Sequence, residues 1–173
     1  MMQLTVERAV RLILVCAVVF AFSMAAGQQA MSEEMSEDER IEAEIWAKEF
    51  AIFEGRSEGD LSNYLNVTSS SYLGWPPVMK EPLGLDKFRA SASGSSALKG
   101  EVTNITKKGF TRQGDTAVAY FLTHRTRLGD GFAPEGEREV DQYYENIHVW
   151  TIEDGEWRLV GGMARLLPEG PRQ

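Results

Sequence analysis

The sequence predicts an α+β fold, helices first and a curling antiparallel sheet after them, and three observations predict it. Apolar side chains recur at helical spacing between Glu37 and Glu54. Four β-prone runs follow between Gly100 and Leu167. Short turn signals separate those runs, so consecutive strands pair as hairpins and the helices are left to cover the sheet.

The residues ahead of the first helix read as an export segment. Arg8 and Arg11 precede an apolar run from Leu12 to Met24, and the small residues Ala25, Ala26 and Gly27 follow it. This is the three-part layout of a cleavable signal peptide over 1–27. The run is shorter than the roughly 18 apolar residues that a membrane-crossing helix wants. Cys16, the single cysteine, lies inside the run behind Val15, where a lipoprotein signal would want a small residue. Cleavage would leave a chain with no disulfide, thiolate nucleophile or cysteine-bound metal, located in the periplasm or outside the cell if the source is bacterial.

Loss of Glu7, Arg8 and Arg11 would make the net charge one unit more negative than the formal −8 of the full chain. Such a surplus repels phosphate backbones and anionic headgroups, so neither nucleic acid nor, after cleavage, a membrane is an expected partner. Solubility is the simpler use of the acidity.

Residues 28–35 are polar and aperiodic, a tether to a single domain over 36–168, with 169–173 as a tail. Ser36, Glu37, Asp38 and Glu39 match a capping box and put acidic groups at the positive end of a helix dipole. That helix should run from Glu37 to Glu54, carrying Ile41, Ile45, Trp46, Phe50, Ile52 and Phe53, with Gly55 and Gly59 loosening its end. Asp60 can cap a second helix, Leu61 to Leu65. A β-like run, Ser70 to Trp75, is halted by Pro76 and Pro77, which have no N–H for a sheet ladder. Leu85 to Ala92 reads as a third helix. The strands expected after it are Gly100–Thr111, Thr116–Leu128, Val140–Ile152 and Glu156–Leu167. Gln113-Gly114-Asp115 and Glu153-Asp154-Gly155 supply tight turns, and Gly129 to Gly136 a longer connection.

Several of these pieces carry a resemblance to a known family. They are the opening helix with Trp46 and Phe50, the Gly59-Asp60-Leu61 junction, Tyr72 to Pro76, the helix start from Gly84 to Phe88, and the closing hairpin from Val149 to Val160 with its Asp154-Gly155 turn and Trp157. Together they resemble the nuclear transport factor 2-like superfamily, within it the secreted ketosteroid isomerase-like and SnoaL-like branch, over essentially everything after Ser36. The resemblance implies a cone, a curved antiparallel sheet wrapped around the N-terminal helices, the roll also called cystatin-like. It further implies a cavity inside and a homodimer formed through the outer sheet face.

Alternation along one strand places Tyr144, Asn146, His148, Trp150 and Ile152 on one face and Tyr143, Glu145, Ile147 and Val149 on the other. Periodicity leaves open which face points inward; the family layout favours the face with His148. The cavity wall would then add Trp46 and Phe50 from the first helix, Tyr72 or Trp75 from the first strand, and Trp157 from the last. Aromatic walls with a few polar handles suit a small apolar or aromatic molecule. Taken singly, each tryptophan is more simply a core residue, since a small domain uses its tryptophans to fill the core.

The two histidines, His124 and His148, are the residues best suited to proton transfer at neutral pH. His124 shares a face with Val118, Tyr120 and Leu122 near a strand end, a rim position. By the family layout His148 falls near the position of the oxyanion-hole acid of ketosteroid isomerases. Other parts of that machinery do not match: Trp75 stands before Pro76 where the base would be, and Ile52 or Phe53 where the helix tyrosine would be. Asp86 reads as a first-turn helix carboxylate. No phosphate loop, nucleophile elbow or zinc-helix motif occurs, so neither cofactor nor metal is expected. Two functions follow as expectations. One is an exported binding domain for a small molecule. The other is an isomerase, cyclase or lyase in which His148 works with Tyr72 or Tyr144 as hydrogen-bond donor. Beside these two stands a non-binding reading, a purely structural dimer with a filled core.

Overall fold

The computed structural model describes residues 35–77, 79–92, 94, 98–127 and 140–171. The expected signal peptide, nearly all of the tether, the Gly129–Gly136 connection and the end of the tail lie outside the described residues. The chain divides into a segment ending at Arg40 and a body from Ile41 onward. In the first segment the expected capping box forms: Glu39 donates its N–H to Ser36 Oγ at 3.3 Å, and Ser36 donates its own to Glu39 Oε2 at 2.8 Å. It opens helix α1, Glu37–Glu58.

Helix α1 runs on to Glu58 rather than ending near Glu54. Gly55 does not loosen it; a Cβ there would lie 2.7 Å from the Asp60 carbonyl oxygen, so glycine is what lets the next segment fold back closely. Gly59, at φ 77°, makes the turn. Asp60 then accepts the Ser62 N–H at 2.8 Å and the Ser62 hydroxyl at 2.9 Å, starting α2, Ser62–Val67.

The sheet has six strands: β1 (Thr68–Trp75), β2 (Leu83–Gly84), β3 (Val102–Gln113), β4 (Thr116–Arg127), β5 (Val140–Glu153) and β6 (Glu156–Leu167), with α3 (Leu85–Ala92) after β2. Their order is β2-β1-β6-β5-β4-β3, so the curved sheet stays open, with β2 and β3 at its edges. Strands β3 to β6 form an antiparallel meander in the expected order. Strand β1 lies parallel to β6, from Thr68 opposite Leu159 to Trp75 opposite Met163. That crossover leaves no local trace in sequence, and β2, two residues long, is too short to show a pattern. The β5–β6 turn has Asp154 at φ 53° and Gly155 at φ 81°, the pair of positive angles that a two-residue hairpin needs.

Alternation selects the inner face of the body. Ala117, Ala119, Phe121 and Thr123 of β4 and Tyr144, Asn146, His148 and Trp150 of β5 are buried. A register shift between Val149 and Trp150 precedes Ile152, which departs from the expected inner set and is exposed. Helix α1 lays Ile41, Ile45 and Ile52 into this face, each burial contributing about 1.5–3 kcal/mol. On the opposite face Tyr120 and Ile147 are exposed, and Met163 of β6 is exposed as well. No helix among the described residues is long and apolar enough to cross a membrane.

Candidate functional site

Helices α1, α2 and α3 do not fill the inner face completely. A cavity of about 170 Å³ remains, below the usual range for drug-sized ligands and about the liquid share of five or six waters. Phe53, Tyr64, Leu83 and Phe88 supply its apolar side, and Thr123, Asn146 and His148 its floor. Tyr64 packs edge-on to Phe88 at 4.6 Å, and Phe121 edge-on to the His148 ring at 5.2 Å.

His148 is held from behind. Its Nδ1 lies 2.9 and 2.8 Å from the two carboxylate oxygens of Glu49, and the Trp150 Nε1–H donates to Glu49 Oε1 at 2.9 Å. Glu49 is fully buried on α1, between Ile45 and Ile52. Because tryptophan only donates, the carboxylate is an acceptor there, and the same oxygens place a proton on His148 Nδ1. Nε2 faces away from Glu49, and among the described residues it makes no hydrogen bond. Gly162 on β6 makes room for the ring: a Cβ there would sit 2.4 Å from the Ile147 carbonyl oxygen and 2.6 Å from His148 Cδ2.

Two phenols face the same space. Tyr64 and Tyr72 share a hydrogen bond at 3.2 Å. Burial, and next the neighbouring Tyr72, hold the Tyr64 hydroxyl well above its ordinary value, and burial raises Tyr72 too. Both therefore stay neutral at physiological pH, and with one O–H spent on the bond between them the other is available to donate.

At the other end of the cavity stand Arg56 and Arg125. Both bond the buried carboxylate of Glu101: Arg56 Nε to Oε1 at 2.9 Å, Arg125 Nε to Oε1 at 2.7 Å, and Arg125 Nη2 to Oε2 at 2.7 Å. Arg125 also lies over the Tyr144 ring at 5.0 Å.

Of the residues the sequence put forward, Tyr72, Trp75, Tyr144, Asn146 and His148 line this cavity. Trp75 stands at its mouth, half exposed, with Nε1 donating to the Met79 carbonyl. Tyr144 turns its hydroxyl to Gln142 at 2.6 Å, and Asn146 donates to Thr123 Oγ1 at 3.1 Å. The remaining four do not line it. Trp46 and Trp157 are core residues, Trp46 edge-on to Phe121. Trp150 is fully buried behind His148, where it serves Glu49. Phe50 points to solvent, 45% exposed beneath Lys107, because it lies outside the α1 stripe of Ile45, Glu49 and Ile52. His124 is outside as well, stacked on Tyr143 at 4.0 Å and paired with Asp141 at 2.7 Å.

Sequence reasoning missed Glu49, Arg56, Tyr64 and Arg125 as site residues. One signal was present: Glu49 and Arg56 interrupt the apolar stripe of α1 at Ile45, Ile52 and Phe53, and a charge on a buried stripe needs a partner across the core. Among the described residues no group of three or more metal-ligating acidic, histidine or cysteine side chains comes together.

No family model matches the chain, and no curated protein matches it in sequence. Solved structures match it in shape. An NTF2-like protein from Cytophaga hutchinsonii, 15% identical, superposes at a TM-score of 0.56 over 77% of this chain and 100% of its own. A protein of unknown function with a cystatin-like fold from Nostoc punctiforme is 13% identical at 0.60, covering 80% and 98%. The association domain of CaMKII from C. elegans is 14% identical at 0.59, covering 73% and 95%. At these identities the likeness concerns architecture alone, and the architecture is that of the nuclear transport factor 2-like proteins.

Proposed function

We propose that this domain binds a small, largely apolar molecule in the cavity between its helices and the inner sheet face. One observation carries the reading: a space walled by Phe53, Leu83 and Phe88 has a polar group of fixed orientation, His148 Nε2, left without a partner among the described residues. Native mass spectrometry of the chain from Gln28 onward tests it. A retained small molecule is expected, and Ala164→Phe, which would push a ring into the cavity from β6, should abolish retention while leaving the melting curve cooperative. Equal retention by this variant would move binding elsewhere on the protein.

The Glu49–His148 pair favours a second reading, proton transfer. A carboxylate behind Nδ1 orients an imidazole as a base at Nε2 and stabilises it once protonated, and the Tyr64–Tyr72 pair offers one neutral O–H donor, supported by the other hydroxyl, for an oxygen that gains charge. Solvent deuterium incorporation beside the carbonyl of 4-phenyl-2-butanone, followed by NMR, is the assay. Wild type should exceed buffer and His148→Ala should not; a wild-type rate equal to buffer leaves binding alone.

Export and self-association complete the proposal. Export rests on the layout of 1–27, and N-terminal sequencing of protein from the exported fraction should begin near Gln28. Homodimerisation is supported by Tyr120 and Ile147, exposed side by side on the outer sheet face. Light scattering should give twice the chain mass, and Ile147→Glu should halve it.

A further inference from the structure

We propose that the ligand is an organic monoanion, a carboxylate, that enters with its charged group at the Arg56–Arg125 end and its apolar body toward His148. The inference rests on the pocket reading and narrows it. Two guanidinium groups border the cavity there, and the carboxylate that both of them bond is that of Glu101. One anion between two cations leaves a surplus of one positive charge in the wall. Glu101 is 2% exposed and already takes three N–H groups, so it has little left to offer. Each guanidinium has five N–H donors; Arg56 spends one on Glu101 and Arg125 spends two. The remaining donors form the planar fork that suits a carboxylate, in a wall only partly open to solvent.

The other titratable groups at this wall do not cancel the surplus. Tyr64 and Tyr72 are raised by burial and stay neutral, and the Glu49 carboxylate lies two turns back along α1, bonded to His148 and Trp150, so the surplus belongs to the Arg56–Arg125 end and not to the cavity as a whole. A single surplus charge fits a monoanion better than the dianion of a phosphate monoester. Length is set by α1, on which Arg56 lies seven residues beyond Glu49, about 10 Å at the helical rise. An aromatic acid with a short side chain spans that distance, and the small cavity volume excludes much more.

The probes are trans-cinnamate and its neutral isostere cinnamamide, titrated calorimetrically into the same protein. Cinnamate should bind at least about tenfold more tightly, and Arg125→Met should remove about tenfold to a hundredfold of that affinity, as expected for charge-assisted hydrogen bonds. Glu101→Gln works in the opposite direction: it leaves both guanidinium charges uncompensated, so cinnamate should bind several-fold more tightly though the fold is weakened. Equal binding of acid and amide overturns the inference and leaves the pocket reading standing. Binding of neither, in protein shown to be folded, overturns both. Weaker cinnamate binding by folded Glu101→Gln would show that Glu101 positions the arginines rather than masking them, and would overturn the charge argument.

Discussion

Glu49 is the side chain on which the inner face depends most. It is fully buried and accepts from both His148 and Trp150, so its removal leaves two donors stranded in the core. Glu49→Ala should cost about 2–6 kcal/mol in urea unfolding, since each of two buried donors left without an acceptor costs about 1–3 kcal/mol. Glu49→Gln, which keeps an acceptor oxygen, should cost markedly less. Glu101 makes a prediction of pH dependence. Burial pushes its carboxyl up, but the hydrogen bond from Arg125 and the charges of Arg56 and Arg125 outweigh this and hold it below the ordinary range. A group lowered in the folded state stabilises folding above its unfolded value of about 4.3, and the contribution is lost as pH falls through the folded value. Between about pH 5 and pH 3 the urea midpoint of wild type should therefore fall more steeply than that of Glu101→Gln, which starts lower at neutral pH.

Strand β6 contributes space where the other elements contribute groups. Gly162→Ala would drive a methyl into the Ile147 carbonyl and the His148 ring, and should cost about 1–3 kcal/mol while shifting the His148 ring resonances in NMR. The alternating side of β5 was readable from sequence, since Tyr144, Asn146 and His148 sit two residues apart and share their burial. The tight turns and the capping box were readable for the same reason: each is a local device with its chemistry within four residues. The walls of the cavity were readable only in part. Of the six aromatic residues that the resemblance placed there, Tyr72 and Trp75 line it, but Trp46, Trp150 and Trp157 went to the core and Phe50 to solvent, while Arg56 and Arg125 came in through a carboxylate on a connecting segment. Pairings such as Arg125 with Glu101, or Glu49 with His148 across 99 residues, arise from tertiary closure and leave no period in the chain.

At the scale of the molecule, the order β2-β1-β6-β5-β4-β3 makes the last strand a joint between the first two strands and the meander. A chain stopped before Glu156 should show no cooperative thermal transition by circular dichroism, because β1 and β2 would have no sheet to join and the cavity would lose Gly162 and its neighbours. The same topology bears on the timing of folding. Thr68 finds its partner Leu159 only after about ninety intervening residues have been made, and such non-local pairing is slow because the loop must close before any contact rewards it. While β6 is still being synthesised, β1 has no long partner, so the first two strands cannot take their place in the sheet. Release of the final strand would then be the event that commits the protein to its fold.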